Sequence, residues 1–128
     1  NSNQTKLTQA VMEGVAFALR DCMEVLKKAG PCPDQLLAIG GGSHSRFWLE
    51  TIATALNKAI ACPIDGEYGA AMGAARLAIL GKTSEPIKNI LSQPTIAETI
   101  EPRRDLIDLY REAFTRYKNA PFHLKNIQ

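Results

Sequence analysis

The chain has 128 residues, 45% hydrophobic and 22% charged, which is the balance of an ordinary globular domain. Its net charge of +2, with no basic run longer than two residues, gives no footing for nucleic-acid binding. No apolar run approaches the ~20 residues of a membrane-spanning helix, and no signal peptide is visible.

Taken in chain order, apolar residues first recur at Leu7, Val11, Val15, Ala18, Cys22, Val25 and Ala29. Steps of three and four predict a long helix with one apolar face. Arg20, Asp21, Glu24, Lys27 and Lys28 form its wet face, with Glu24 and Lys28 spaced as an i,i+4 pair. Gly30-Pro31 ends it, the glycine as a left-handed cap. The run Gln35–Ile39 reads as a short strand covered on both faces. A glycine turn follows, then a helix from about Ser45 to Leu56 with Asn57 as its left-handed cap. Ala59–Ile64 is a second strand. Asp65-Gly66 turns the chain into a third helix, about Tyr68–Leu80, stopped by Gly81. Residues 82–101, with Pro86 and Pro94, read as an irregular connection holding a short extended piece at Thr95–Ile100. A last helix starts with Pro102 in its first turn, carries Leu106, Leu109, Tyr110, Ala113, Phe114 and Tyr117 as its stripe, and stops at Pro121.

Helix, strand, helix, strand, helix is an α/β order. Two short parallel strands flanked by helices make an unsatisfactory sheet alone. The chain is therefore expected to be a piece of something larger, or to complete its sheet with a partner. An open edge strand or the first helix is expected to support self-association into a homo-oligomer. The cysteines Cys22, Cys32 and Cys62 form no C-x-x-C pair, so they read as reduced thiols of a cytoplasmic protein. His44 and His123 are too far apart to suggest a zinc site.

The stretch Ala38-Ile39-Gly40-Gly41-Gly42-Ser43-His44-Ser45-Arg46 carries the chemistry. A strand that leaves through glycines and opens a helix makes an anion site. Glycine lets a phosphate approach the backbone, and the free amides and dipole of a helix start favour negative charge. Arg46 in the first helical turn opposes that dipole at a cost of ~0.3–1 kcal/mol, which a bound phosphate would offset. The alternative is a plain tight turn with Arg46 in water. Gly40, Gly42 and Ser45 follow the dinucleotide fingerprint G-x-G-x-x-G without its third glycine, and Asp65 lies near the place of a ribose-binding acid. Gly81-Lys82-Thr83 imitates the end of a Walker motif. Arg76 occupies the place of its first glycine, and the triplet closes a helix instead of opening one. In Gly66-Glu67-Tyr68-Gly69-Ala70-Ala71-Met72-Gly73-Ala74-Ala75, glycine inside a helix costs ~1 kcal/mol against alanine, so Gly69 and Gly73 are expected to admit a close neighbour.

Three blocks, Ala10–Asp21, Ile39–Ser43 with Ser45 and Trp48, and Gly66–Ala78, resemble the C-terminal domain of the FGGY carbohydrate kinases, in the xylulokinase branch. The helix entered through Pro102-Arg103-Arg104 is similar to the last helix of that branch. The resemblance implies a partial ribonuclease-H-like domain of the actin/hexokinase-like ATPase architecture. It implies ATP with magnesium as phosphoryl donor and a sugar, D-xylulose in this branch, as acceptor. Residues 1–81 would then be the nucleotide-side core, 82–101 the connection, and 102–128 the last helix and tail. Gly41, Gly42, Ser43 and Arg46 would face the nucleotide. Arg46 stands where related glycerol kinases place an asparagine, and Lys6 departs from the family's polar or acidic choice.

The resemblance also implies what to expect of the isolated chain. The family's base is an aspartate of the N-terminal domain, which also holds most of the sugar. Asp21, Asp34, Asp65 and Glu67 match no catalytic motif, so no catalytic or metal-binding residue is assigned and the isolated chain is expected to be inactive. Two other readings stand beside it: an interaction module descended from a kinase, and a dinucleotide-binding domain.

Overall fold

The computed structural model describes residues 3–30, 32–33 and 35–125, with side chains up to residue 120; Pro31 and Asp34, a candidate turn cap, lie outside them. Helix α1 spans Gln4–Ala29, followed by strand β1 (Leu36–Leu37), helix α2 (Arg46–Leu56), strand β2 (Ile60–Pro63) and helix α3 (Gly69–Lys82). A one-turn helix α4 (Ile87–Ile90), strand β3 (Ile96–Ile100) and helix α5 (Ile107–Lys125) complete the order.

The sheet has three strands in the order β1-β2-β3. β1 runs parallel to β2, pairing Leu36 with Ile60 and Leu37 with Ala61. β3 is antiparallel to β2, pairing Ile100 with Ile60 and Glu98 with Cys62. The expected pair of parallel strands is present, and a third, antiparallel strand makes the sheet mixed. Its third strand comes from the stretch read mainly as irregular, where β-branched Ile96, Thr99 and Ile100 outweigh the flanking prolines.

One face of the sheet is packed. Leu36, Ala38, Ile60, Cys62 and Ile100 meet Leu49, Ile52 and Ala53 of α2. The other face is open: Leu37 and Ile39 are exposed, and α3 buries none of its residues. The expectation that β1 is covered on both faces therefore fails among the described residues. Burial pushes the Cys62 thiol up, with the charge of Glu98 adding to it, so it stays a protonated part of the core.

A second core forms where α1 and α5 meet α2. Phe17 stands edge-on to Tyr110 with ring centroids 5.8 Å apart, and Ala16, Ala55 and Phe114 close around it. The Tyr110 hydroxyl donates to Glu13 Oε1 at 3.2 Å. Arg20 lies over the Phe114 ring at 4.2 Å, and Lys118 bonds Asp21.

This packing leaves much of the apolar stripe of α1 uncovered among the described residues: Leu7 is 61% and Val11 68% exposed, and Val15, Cys22 and Val25 also face out. Of the residues read as its wet face, Lys27 and Lys28 are exposed as expected, whereas Arg20 lies over the Phe114 ring and Asp21 and Glu24 face Lys118. Glu24 faces Arg20 and Lys118, each at 3.9 Å, in place of the expected Lys28.

Several ends differ from expectation. Gly30 is extended, at φ 166°, instead of left-handed, and its N–H still reaches Leu26 O at 3.1 Å. Asn57 does take the left-handed cap, at φ 49° and ψ 47°. α3 passes Gly81 and ends at Lys82. Pro102 precedes a 3-10 turn, Arg104–Leu106, and does not sit in the first turn of α5. The Arg103 N–H donates to Thr54 Oγ1 at 3.1 Å, which pins this entry to α2. α5 continues through Pro121 to Lys125. Proline removes one N–H there, but its fixed φ is compatible with a helix. No helix among the described residues is long and apolar enough to cross a membrane.

Candidate functional site

The glycine turn begins where β1 stops. Gly40 has φ 85° and ψ 175°, a region open in practice only to glycine. This bend redirects the chain into a 3-10 turn, Gly41–His44, and then into α2. Ser45 caps α2, its hydroxyl accepting from the Trp48 N–H at 3.3 Å. Ser45 stands where the dinucleotide pattern wants its third glycine, and it works here as an N-cap.

A second turn locks onto the first. The Gly40 N–H donates to Gly66 O at 2.9 Å. Gly66 is buried, and a Cβ there would meet Ala38 O at 3.1 Å and Pro63 Cγ at 3.0 Å. Asp65, at φ 55°, bends the chain just before it. Gly69 approaches the Ile39 side chain, where a Cβ would come within 3.3 Å, so the close neighbour expected of that glycine is the strand end. Among the described residues nothing lies within 4 Å of a Cβ at Gly73, so the same expectation finds no neighbour there.

Beside the joined turns, a cleft of about 470 Å3 opens between the unpacked sheet face and α3, with Leu37, Ile39, Asp65, Gly66, Met72 and Arg76 on its walls. A more apolar groove of about 400 Å3 runs on the other side, between α1 and β1, and reaches Gly42 and Trp48.

The four sequence-nominated residues divide into two pairs. The amides of Gly41 and Gly42 open the 3-10 turn and have no main-chain acceptor among the described residues. A Cβ on Gly41 would meet nothing within 4 Å, and one on Gly42 only the Trp48 ring at 3.5 Å. Ser43 is occupied by the turn itself, since its N–H and its hydroxyl both donate to Gly40 O, at 3.0 and 2.7 Å. Arg46 is the first residue of α2 and is held by two carboxylates, Glu50 Oε1 at 3.1 Å from Nε and Glu98 Oε2 at 3.0 Å from Nη1. The charge placed against the helix dipole is therefore offset within the chain.

Sequence reasoning missed both partners of Arg46. Glu50 was findable as its i+4 neighbour on a predicted helix. Glu98 was not, because the extended piece at Thr95–Ile100 carried no signal of its pairing with β2. The carboxylates weighed as candidates are scattered. Asp21 pairs with Lys118, and Glu67 lies 4.0 Å from His44. Among the described residues no group of three or more His, Cys, Asp or Glu side chains is placed to hold a metal ion.

A mixed sheet with a strand, glycine turn and helix beside an open cleft marks the class, the actin/hexokinase-like ATPase fold of sugar kinases. Residues 1–81 match the C-terminal domain of the FGGY family of carbohydrate kinases, and the chain belongs to that family. A xyloylose kinase from Brucella ovis superposes over 100% of this chain and 26% of its own, with TM-score 0.87 and 45% identity. The xylulose kinase of Bacillus subtilis (strain 168) is 28% identical over 98% of this chain and 27% of its own length. A gluconate kinase from Lactobacillus acidophilus also matches, at 27% identity and TM-score 0.71 over 95% of this chain and 25% of its own. The chain thus spans about a quarter of the length of the relatives it matches.

Proposed function

We propose that this chain is the nucleotide-facing part of an ATP-dependent xylulose kinase, which moves the γ-phosphoryl group of Mg-ATP to a hydroxyl of D-xylulose to give D-xylulose 5-phosphate. The observation that carries the nucleotide reading is the pair of open amides at Gly41 and Gly42, set at a strand end with clear space in front of Gly41. Such amides can take the negative charge of a nucleotide without a side chain in the way. The sugar rests on the relatives named xylulose kinases. Magnesium enters with the nucleotide, and no residue of this chain is assigned to it. The three free cysteines suit a cytoplasmic enzyme.

In this reading the reacting hydroxyl and its base are held outside this chain. Calorimetric titration of the chain with Mg-ATP is expected to show saturable binding, and a coupled ADP-release assay with D-xylulose is expected to show no turnover. An empty titration removes the nucleotide reading. Turnover by the chain alone removes the assignment of the base elsewhere.

The reading includes association with further polypeptide, because the apolar stripe of α1 and the outer edge of β1 lie uncovered among the described residues. Sedimentation velocity of the isolated chain is expected to show concentration-dependent self-association. One monomeric species over the whole concentration range would contradict it.

A further inference from the structure

We infer that Glu98 is a positioning residue for the candidate nucleotide turn, holding Arg46 in a clasp that an incoming phosphate must open. The inference rests on the nucleotide reading above and adds the control of the cation at its edge. Arg46 begins α2 directly after the turn and its N-cap Ser45. Its guanidinium is shared between Glu50 of the same helix and Glu98 of β3. One cation against two carboxylates leaves net negative charge at the first turn of α2, the helix that follows the glycine turn, which opposes an anion.

His44 Nε2 lies 4.0 Å from Glu67 Oε1, beyond hydrogen-bond distance, so Arg46 is the cation of this segment that acids hold. The Arg46 clasp is weak enough to open, because Arg46 is 67% and Glu98 53% exposed and water screens such pairs. Glu50 stays with the helix, so the removable half of the clasp is Glu98. Glu98 arrives 52 positions later, on a strand outside residues 1–81. Its position is fixed by pairing with Cys62 in β2.

The test compares ATP with adenosine, which lacks the phosphates, on the wild-type chain, Glu98→Gln, Arg46→Gln and the double variant, each checked by thermal unfolding. Glu98→Gln is expected to tighten ATP by about two- to fivefold, the range of an exposed ion pair, and to leave adenosine unchanged. In the Arg46→Gln background the Glu98 substitution is expected to change nothing. Equal or weaker ATP binding by Glu98→Gln, with wild type still binding, overturns the inference alone. So does tightening that persists without Arg46, which would be a general charge effect. Absence of ATP binding in wild type and all variants removes the nucleotide reading, and the inference with it.

Discussion

Replacing Ile100 with alanine is expected to lower the unfolding free energy by about 2–5 kcal/mol, the range for truncating a large aliphatic side chain in a packed core. Ile100 is 1% exposed, the most deeply buried large side chain of the molecule's described part. It lies opposite Ile60 in the register and packs with Leu49 and Ala53 under α2. The opposite sheet face is open, so little else compensates for a cavity there. A domain has only ~5–15 kcal/mol in hand. Urea unfolding followed by circular dichroism checks this through the midpoint. A loss below about 0.5 kcal/mol, the size of a surface substitution, would mean that β3 does not seal the core.

The second large effect is expected at Gly40. Alanine there must hold φ 85° and ψ 175°, at a cost of order 1–3 kcal/mol. It must otherwise move the N–H that bonds Gly66 O. The first course strains the joined turns and the second parts them, so both thermal stability and ATP affinity are expected to fall. Gly41→Ala is the informative contrast. Gly41 has no positive φ and open space before its Cβ, so the fold should tolerate alanine. Only a ligand pressed against the backbone would object to the added methyl group. The expected pattern is loss of melting temperature and affinity for Gly40→Ala, and loss of affinity alone for Gly41→Ala. Unchanged ATP affinity in Gly41→Ala would show that no nucleotide approaches that turn.

The elements of residues 4–82 were legible because local rules decide them. The Ser45 cap, the Asn57 left-handed stop and the Asp65-Gly66 bend lie within a few residues of what they control. The three sequence blocks pointed to the right family for the same reason, since each is a contiguous local motif. What failed was long-range. Arg46 looked like an uncompensated charge because Glu98 is distant in sequence and meets it only once β3 pairs with β2. The apolar stripe of α1 was legible as a stripe, but not that much of it would stay exposed among the described residues. Periodicity tells which residues share a face, not which face the available neighbours will cover.

Both cores straddle residue 81, where the family match ends. Ile100 completes the one under α2, and Tyr110 and Phe114 complete the one beside Phe17. The segment matched by the family model is therefore not a separable folding unit here. Its helices and strands need the downstream chain to reach a closed interior, so variation in that downstream chain is constrained by packing.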